Sequence, residues 1–167
     1  VTVHTWSAGI RGFRGYRDLR LFCGDELVLS ASTLWVYVNL RTKSLARVPE
    51  ELAAQFPVGQ AEMFKPDLDR VRHEPPAATA PATEVALRYG DFDGNSHLNN
   101  TAYFDALQTA LSRQGLPVHP RGIEVQFLKE VVLAVRAIEV ALEPRDGEAR
   151  VAWRNGAELN AQGVVRG

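Results

Sequence analysis

Apolar and polar positions along this chain form short alternating runs, then one long helical period, then short runs again. In the first third, strand-like runs cover Val1 to Ala8, Tyr16 to Phe22 and Leu27 to Leu40. The last has the long apolar character of a central strand. Gly9 to Gly15 reads as a hairpin connection, and Pro49-Glu50-Glu51-Leu52 as the start of a short helix. Glu84 to Tyr89 alternates as a strand does. From Asn100 to Gln114, Tyr103, Ala106, Leu107, Ala110 and Leu111 recur at helical spacing. Gly115 is a C-cap for that helix, with Pro117 just beyond. Further strand-like runs follow at Gly122 to Val132, Val135 to Leu142, Ala149 to Trp153 and, more weakly, Ala157 to Val165. Asp146-Gly147 and Asn155-Gly156 supply hairpin turns between the last three. Strand, helix, then several antiparallel strands predicts an α+β fold, with one helix lying on one curved antiparallel sheet.

A change of composition marks a boundary. Glu74 to Thr83 holds three prolines and, after its glutamate, small residues only. Such a stretch reads as a semi-rigid linker. The expected division is a first unit at 1–57, a linker at 58–83 and a second unit at 84–167.

The chemistry concentrates just before the long helix, in Asp91-Phe92-Asp93-Gly94-Asn95-Ser96-His97-Leu98-Asn99-Asn100. Asp93, Asn95 and His97 are spaced by two. In an extended segment that spacing sends all three side chains to one face. A carboxylate, an amide and an imidazole held together suit the activation of water. Asn99 or Asn100 can cap the helix, and the free N–H groups of its first turn can hold an oxyanion. Asp, Asn, Gly and Ser also make an ordinary turn before a helix. A turn, however, does not call for a histidine beside carboxylates, a neighbourhood that tunes an imidazole near neutral pH.

Asp93-x-Asn95-x-His97-Leu98-Asn99-Asn100-x-x-Tyr103 resembles the signature of the acyl-carrier-protein (acyl-ACP) thioesterases, a family with the hot-dog fold. Ile123 to Glu130 resembles the strand bearing that family's catalytic glutamate, a role this places on Glu130. Trp6, Arg17-Asp18, Gly24-Asp25-Glu26, Ala31 to Asn39, Thr42 and Val48-Pro49-Glu50-Glu51 resemble the back half of the family's first repeat. The resemblance implies a double hot dog, two tandem repeats of a curved antiparallel sheet around a central helix. The first repeat is expected to be incomplete, because Val1-Thr2-Val3-His4-Thr5-Trp6 is already inside a strand. The implied activity is hydrolysis of acyl-ACP to free fatty acid. His97 and Glu130 would activate water, Asn95 orient it or the substrate, and Asp93 fix geometry and charge; direct water attack and a covalent acyl-Glu intermediate both fit this set. N–H groups of the helix beginning at Asn99 and Asn100 would face the oxyanion. Plant members carry a cysteine directly after the catalytic glutamate; here Val131 stands there, which excludes a cysteine nucleophile at that position. The implied partner is an acyl carrier protein with a phosphopantetheine-linked acyl chain, and a homodimer is compatible with this reading. No cofactor or metal is called for. An acyl-CoA thioesterase of the same fold and a non-catalytic acyl-binding module are the alternatives.

Composition narrows the partners. The net charge is −1, which gives no footprint for nucleic acid or an acidic membrane surface. The single cysteine, Cys23, allows no intramolecular disulfide and suits a reducing compartment. No apolar run approaches the length of a membrane span, and no signal-peptide pattern opens the chain. A bacterial cytoplasm is the expected location. Arg11, Arg14, Arg17 and Arg20 can meet a phosphate or the acidic surface of a carrier protein, or simply form a solvated hairpin. Trp6, Trp35 and Phe22 can line an acyl tunnel or belong to the core. Cys23 reads as a strand end, and His4, His73 and His119 have no metal-ligand spacing.

Overall fold

A computed structural model describes residues 1–59, 64, 65 and 67–167. The chain divides into two compact units, Val1–Val71 and Arg72–Gly167.

The first unit is built on three antiparallel strands in the order β1 (Thr2–Arg11), β2 (Arg14–Cys23), β3 (Glu26–Val36). Gly12, with φ of 65°, takes the left-handed turn that joins β1 to β2. The centre of this sheet is β2. The long apolar run expected to be a central strand is instead at its edge, and Leu27, Val28 and Leu29 there remain about half exposed. That run also breaks at Tyr37. The Tyr37 N–H donates to the Phe13 carbonyl at 2.8 Å, and β4 (Val38–Asn39) then pairs with β5 (Ser44–Leu45). The Pro-Glu-Glu segment forms the short helix α1 (Glu50–Ala53). Trp6, Asp18 and Ser32 are directly paired across the three strands and so share one face. Asp18 is fully buried there and accepts from the Phe64 N–H at 2.7 Å.

In the second unit a five-stranded antiparallel sheet runs in the order β6, β8, β9, β10, β7. These are Ala82–Ala86, Ala137–Arg145, Glu148–Asn155, Glu158–Arg166 and Gly122–Phe127 respectively. The predicted helix forms as α2 (Asn100–Arg113) and buries Ala102, Tyr103, Ala106, Leu107, Ala110 and Leu111, one continuous stripe. Gly115, at φ 68°, ends it in the left-handed conformation while the Leu116 N–H reaches back to the Leu111 carbonyl. Opposite the stripe, paired residues from four strands form one rank: Val140, Trp153, Ala161 and Phe127. Trp153 is fully buried, and its indole N–H donates to the Tyr103 carbonyl at 3.0 Å, tying helix to sheet. Each large apolar side chain buried this way stabilises the unit by roughly 1.5–3 kcal/mol. Gly147 and Gly156, with φ of 73° and 57°, make the two predicted hairpin turns.

The segment 58–83, expected as linker, contains the division between the units. Its residues 73–77 lie on the second unit: the Gln162 amide donates to the His73 carbonyl at 2.7 Å, Arg150 pairs with Glu74 at 2.7 Å, and the Ala77 N–H reaches Glu143 at 3.2 Å.

Candidate active site

The segment before α2 is not extended. The Ser96 N–H donates to the Asp93 carbonyl at 3.0 Å, the Asp93 N–H to the His97 carbonyl at 2.8 Å, and Ser96 sits at φ 62°. A tight turn with a left-handed residue breaks the period of two, so Asp93, Asn95 and His97 do not line one face of a strand. The Asp93 carboxylate turns inward on its own loop. Its Oδ1 accepts from the backbone N–H of Asn95 at 2.8 Å and of His97 at 3.1 Å. These bonds, that from His97 first, hold the Asp93 carboxyl below the usual carboxylate range. Asp93 therefore shapes the loop, and Asn95 stands exposed at its tip.

The loop is fastened at both edges. Phe92 pairs with Leu98 across its base, and His97 pairs with Val132 of the connection after β7. The Leu98 N–H donates to the Val131 carbonyl at 2.8 Å, and the Leu133 N–H to the Ser96 carbonyl at 3.0 Å. This ladder brings the two distant parts of the predicted site together: His97 Nε2 lies 3.2 Å from Glu130 Oε2. Both side chains keep contact with solvent, at 39% and 58% exposure. Glu130 is not on a strand, as the run from Gly122 to Val132 had suggested. Pairing stops at Phe127, because the Leu128 and Lys129 N–H groups both turn onto the Asn160 carbonyl, at 2.8 and 3.1 Å. Val131, directly after Glu130, is buried in the core.

Asn99 caps α2, its Oδ1 accepting from the Thr101 N–H at 3.0 Å, while its carbonyl accepts from the Ala102 N–H at 2.9 Å. Of the helix start invoked for an oxyanion, this leaves the Asn100 N–H. The motif's Tyr103 is a core residue; burial alone pushes its phenol up to about 12, and its ring packs edge-on to Trp153 and Phe127. A groove of ≈ 410 Å³ runs beside β6 and α2, past Leu87, Arg88, Asp91 and Asp105, and includes neither His97 nor Glu130.

The four arginines separate. Arg14 and Arg20 share a face of β2, and Arg17 points to the other. Arg14 stacks on Phe13 at 4.4 Å, Arg11 on Tyr16 and Arg20 on Trp6 at 5.5 Å, and Arg17 donates to Thr5 at 3.2 Å. Trp35 is 63% exposed, Phe22 stacks on His4, and Cys23 is free and exposed. Among the described residues no group of three or more His, Cys, Asp or Glu is placed to hold a metal ion. No described helix is long and apolar enough to cross a membrane. The residue that sequence reasoning passed over is Asn160, fully buried beside Glu130. Its only sequence signal is a polar residue inside the apolar run of the last strand.

A helix laid on one curved antiparallel sheet is the arrangement of the hot-dog fold. Comparison with solved structures agrees. An acyl-ACP thioesterase from Bacteroides thetaiotaomicron matches with a TM-score of 0.75 at 19% identity, over 98% of this chain and 67% of that one. A 12:0-ACP thioesterase from Umbellularia californica matches with a TM-score of 0.75 at 17% identity, over 98% of this chain and 66% of that one. Residues 76–158 match the family model of the acyl-ACP thioesterase C-terminal domain. The chain belongs to the acyl-ACP thioesterase family, and its second unit carries that domain. A chloroplastic acyl-[acyl-carrier-protein] hydrolase of Cuphea viscosissima is 32% identical over 112 residues, 62% of this chain and 26% of the relative. A chloroplastic palmitoyl-acyl carrier protein thioesterase of Arabidopsis thaliana is 28% identical over 143 residues, 81% of this chain and 33% of the relative. The chain thus spans about a fifth to a third of the curated relatives it matches.

Proposed function

We propose that this protein hydrolyses the thioester of acyl-ACP and releases free fatty acid. The observation that carries the reading is the 3.2 Å approach of His97 Nε2 to Glu130 Oε2, made by residues 33 positions apart (130 − 97) within the family's C-terminal domain. A carboxylate accepting from an imidazole leaves its second oxygen free to take a proton from water. The water oxygen attacks the thioester carbonyl carbon, and the Asn100 N–H at the positive end of α2 faces the developing oxyanion. Collapse breaks the carbon–sulfur bond, and the proton passes to the departing thiolate. Asn95, exposed at the loop tip, orients the water or the acyl head. Asp93 holds the loop that carries both. The arginines at Arg11, Arg14, Arg17 and Arg20 are the proposed contacts for the carrier protein's acidic surface or its phosphopantetheine phosphate, and a homodimer remains part of this proposal.

The test is hydrolysis of acyl-ACP and acyl-CoA of equal chain length by the purified chain. Preferential turnover of acyl-ACP is expected; preference for acyl-CoA moves the substrate to the other carrier, and binding without turnover makes the protein an acyl-binding module. His97→Ala and Glu130→Gln should each lower turnover by about a hundredfold or more, the usual worth of a positioned acid–base group. Near-normal activity in either would remove that residue from the mechanism.

A further inference from the structure

Glu130 belongs to no regular element, yet it must hold one position for the pair with His97 to persist. On its C-terminal side the ladder to residues 96–98 supplies that hold. On its N-terminal side the hold centres on Asn160. Asn160 lies in β10 where the register slips between Leu159 and Ala161, a bulge that leaves its side chain and carbonyl free of the regular ladder. Its carbonyl takes the N–H groups of Leu128 and Lys129 at 2.8 and 3.1 Å. Its Nδ2 donates to the Glu130 carbonyl and to Glu158 Oε2, both at 3.4 Å. Glu158 in turn pairs with Lys129 Nζ at 2.7 Å. Three successive residues, 128, 129 and 130, are thus bound by one buried asparagine.

The amide's orientation follows from chemistry: both groups facing Nδ2 are acceptors, so the donor end must point to them. The other end, Oδ1, is buried with no hydrogen-bond partner among the described residues. An unpartnered buried acceptor is costly, and an apolar residue of similar size would pack there without that cost. The contribution of the amide is therefore the donor it points at the Glu130 backbone. Resting on the hydrolytic reading of the His97–Glu130 pair, we infer that Asn160 is a positioning residue, which sets the Glu130 carboxylate within reach of His97 through the backbone of residues 128–130.

Asn160→Asp keeps the shape and removes the donor; Asn160→Ala removes the side chain and guards against a fold lost to a buried carboxylate. Both leave the Asn160 carbonyl in place. With acyl-ACP, kcat should fall about tenfold or more in each, as misplaced catalytic groups do, while KM stays within about twofold. In a Glu130→Gln background the same substitutions should change nothing further, because the residue acts only through Glu130. Equal losses in both backgrounds, or kcat unchanged in a folded variant, would overturn the inference. Crystal structures of both variants decide it even if the wild-type chain hydrolyses no acyl-ACP, an outcome that would sink the thioesterase reading instead. The Glu130–His97 separation should open beyond about 3.6 Å, out of hydrogen-bond reach; an unchanged pair would refute the positioning role.

Discussion

Asp93 illustrates how a residue's role is set by what its oxygens accept. The Asx-turn bonds from Asn95 and His97 keep it ionised below the ordinary aspartate range. A carboxyl depressed in the folded state stabilises the fold above its unfolded pKa, about 3.9, and that contribution is lost as the pH falls through the folded value. Asp93→Ala should therefore be less stable than the parent near neutral pH, with the gap narrowing in acid. Urea midpoints at about pH 7 and about pH 3 measure it; a gap that widens in acid contradicts the assignment. Cys23 is exposed and free at the end of β2, and buried Val131 occupies the place next to Glu130. Alkylation of Cys23 should leave turnover largely intact. Complete inactivation with protection by substrate would point to a thiolate mechanism.

At the scale of elements, the pairing of β7 with β10 positions everything that follows Phe127. Gly163 sits in this pair, and a Cβ there would run into the Glu124 carbonyl oxygen. Backbone cannot yield as a flexible side chain does, so Gly163→Ala should cost about 3 kcal/mol, the upper end of overpacking. Chemical denaturation would show it, and a shift under about 1 kcal/mol would mean that the two strands separate easily. The same pair explains why the strand predicted to reach Val132 stops early. Apolar residues recur as far as Val131 and Val132, but the bulge at Asn160 turns the chain out of the sheet. A bulge on one strand is invisible in the sequence of its neighbour.

The two units differ in how much apolar surface they bury. Among the described residues the buried apolar set of the first unit is Tyr16, whereas α2 and the five-stranded sheet of the second enclose Leu107, Ile138, Val140, Leu142, Val151 and Trp153. Local opening follows local burial. Hydrogen exchange should therefore protect the amides of β8 and β9 far longer than those of β1 to β3. Equal protection in both units would show that something beyond each unit's own core stabilises the first.

α2 and its buried stripe are legible in the sequence, because helical periodicity and Gly115 are local signals, while of the two cap candidates, Asn99 and Asn100, the fold takes Asn99. The sequence by itself also determined the β8–β9–β10 hairpins, whose Gly turns are equally local, and through the motif it pointed to His97 and Glu130. Only the tertiary structure decided how these meet. Asp93 and Asn95 looked like partners of His97 on one strand face, but a left-handed Ser96 and two backbone bonds curl that face into a turn. Glu130 comes to His97 through a ladder between residues 96–98 and 131–133, and through Asn160, thirty residues further along (160 − 130). Likewise, the apolar run of β3 could not reveal that it forms an edge, since a strand's place in a sheet depends on which neighbours pair with it. Periodicity reads interactions within a few residues of one another. Pairing register and bulges are settled by backbone hydrogen bonds between segments far apart in the chain, whose partners no single segment encodes.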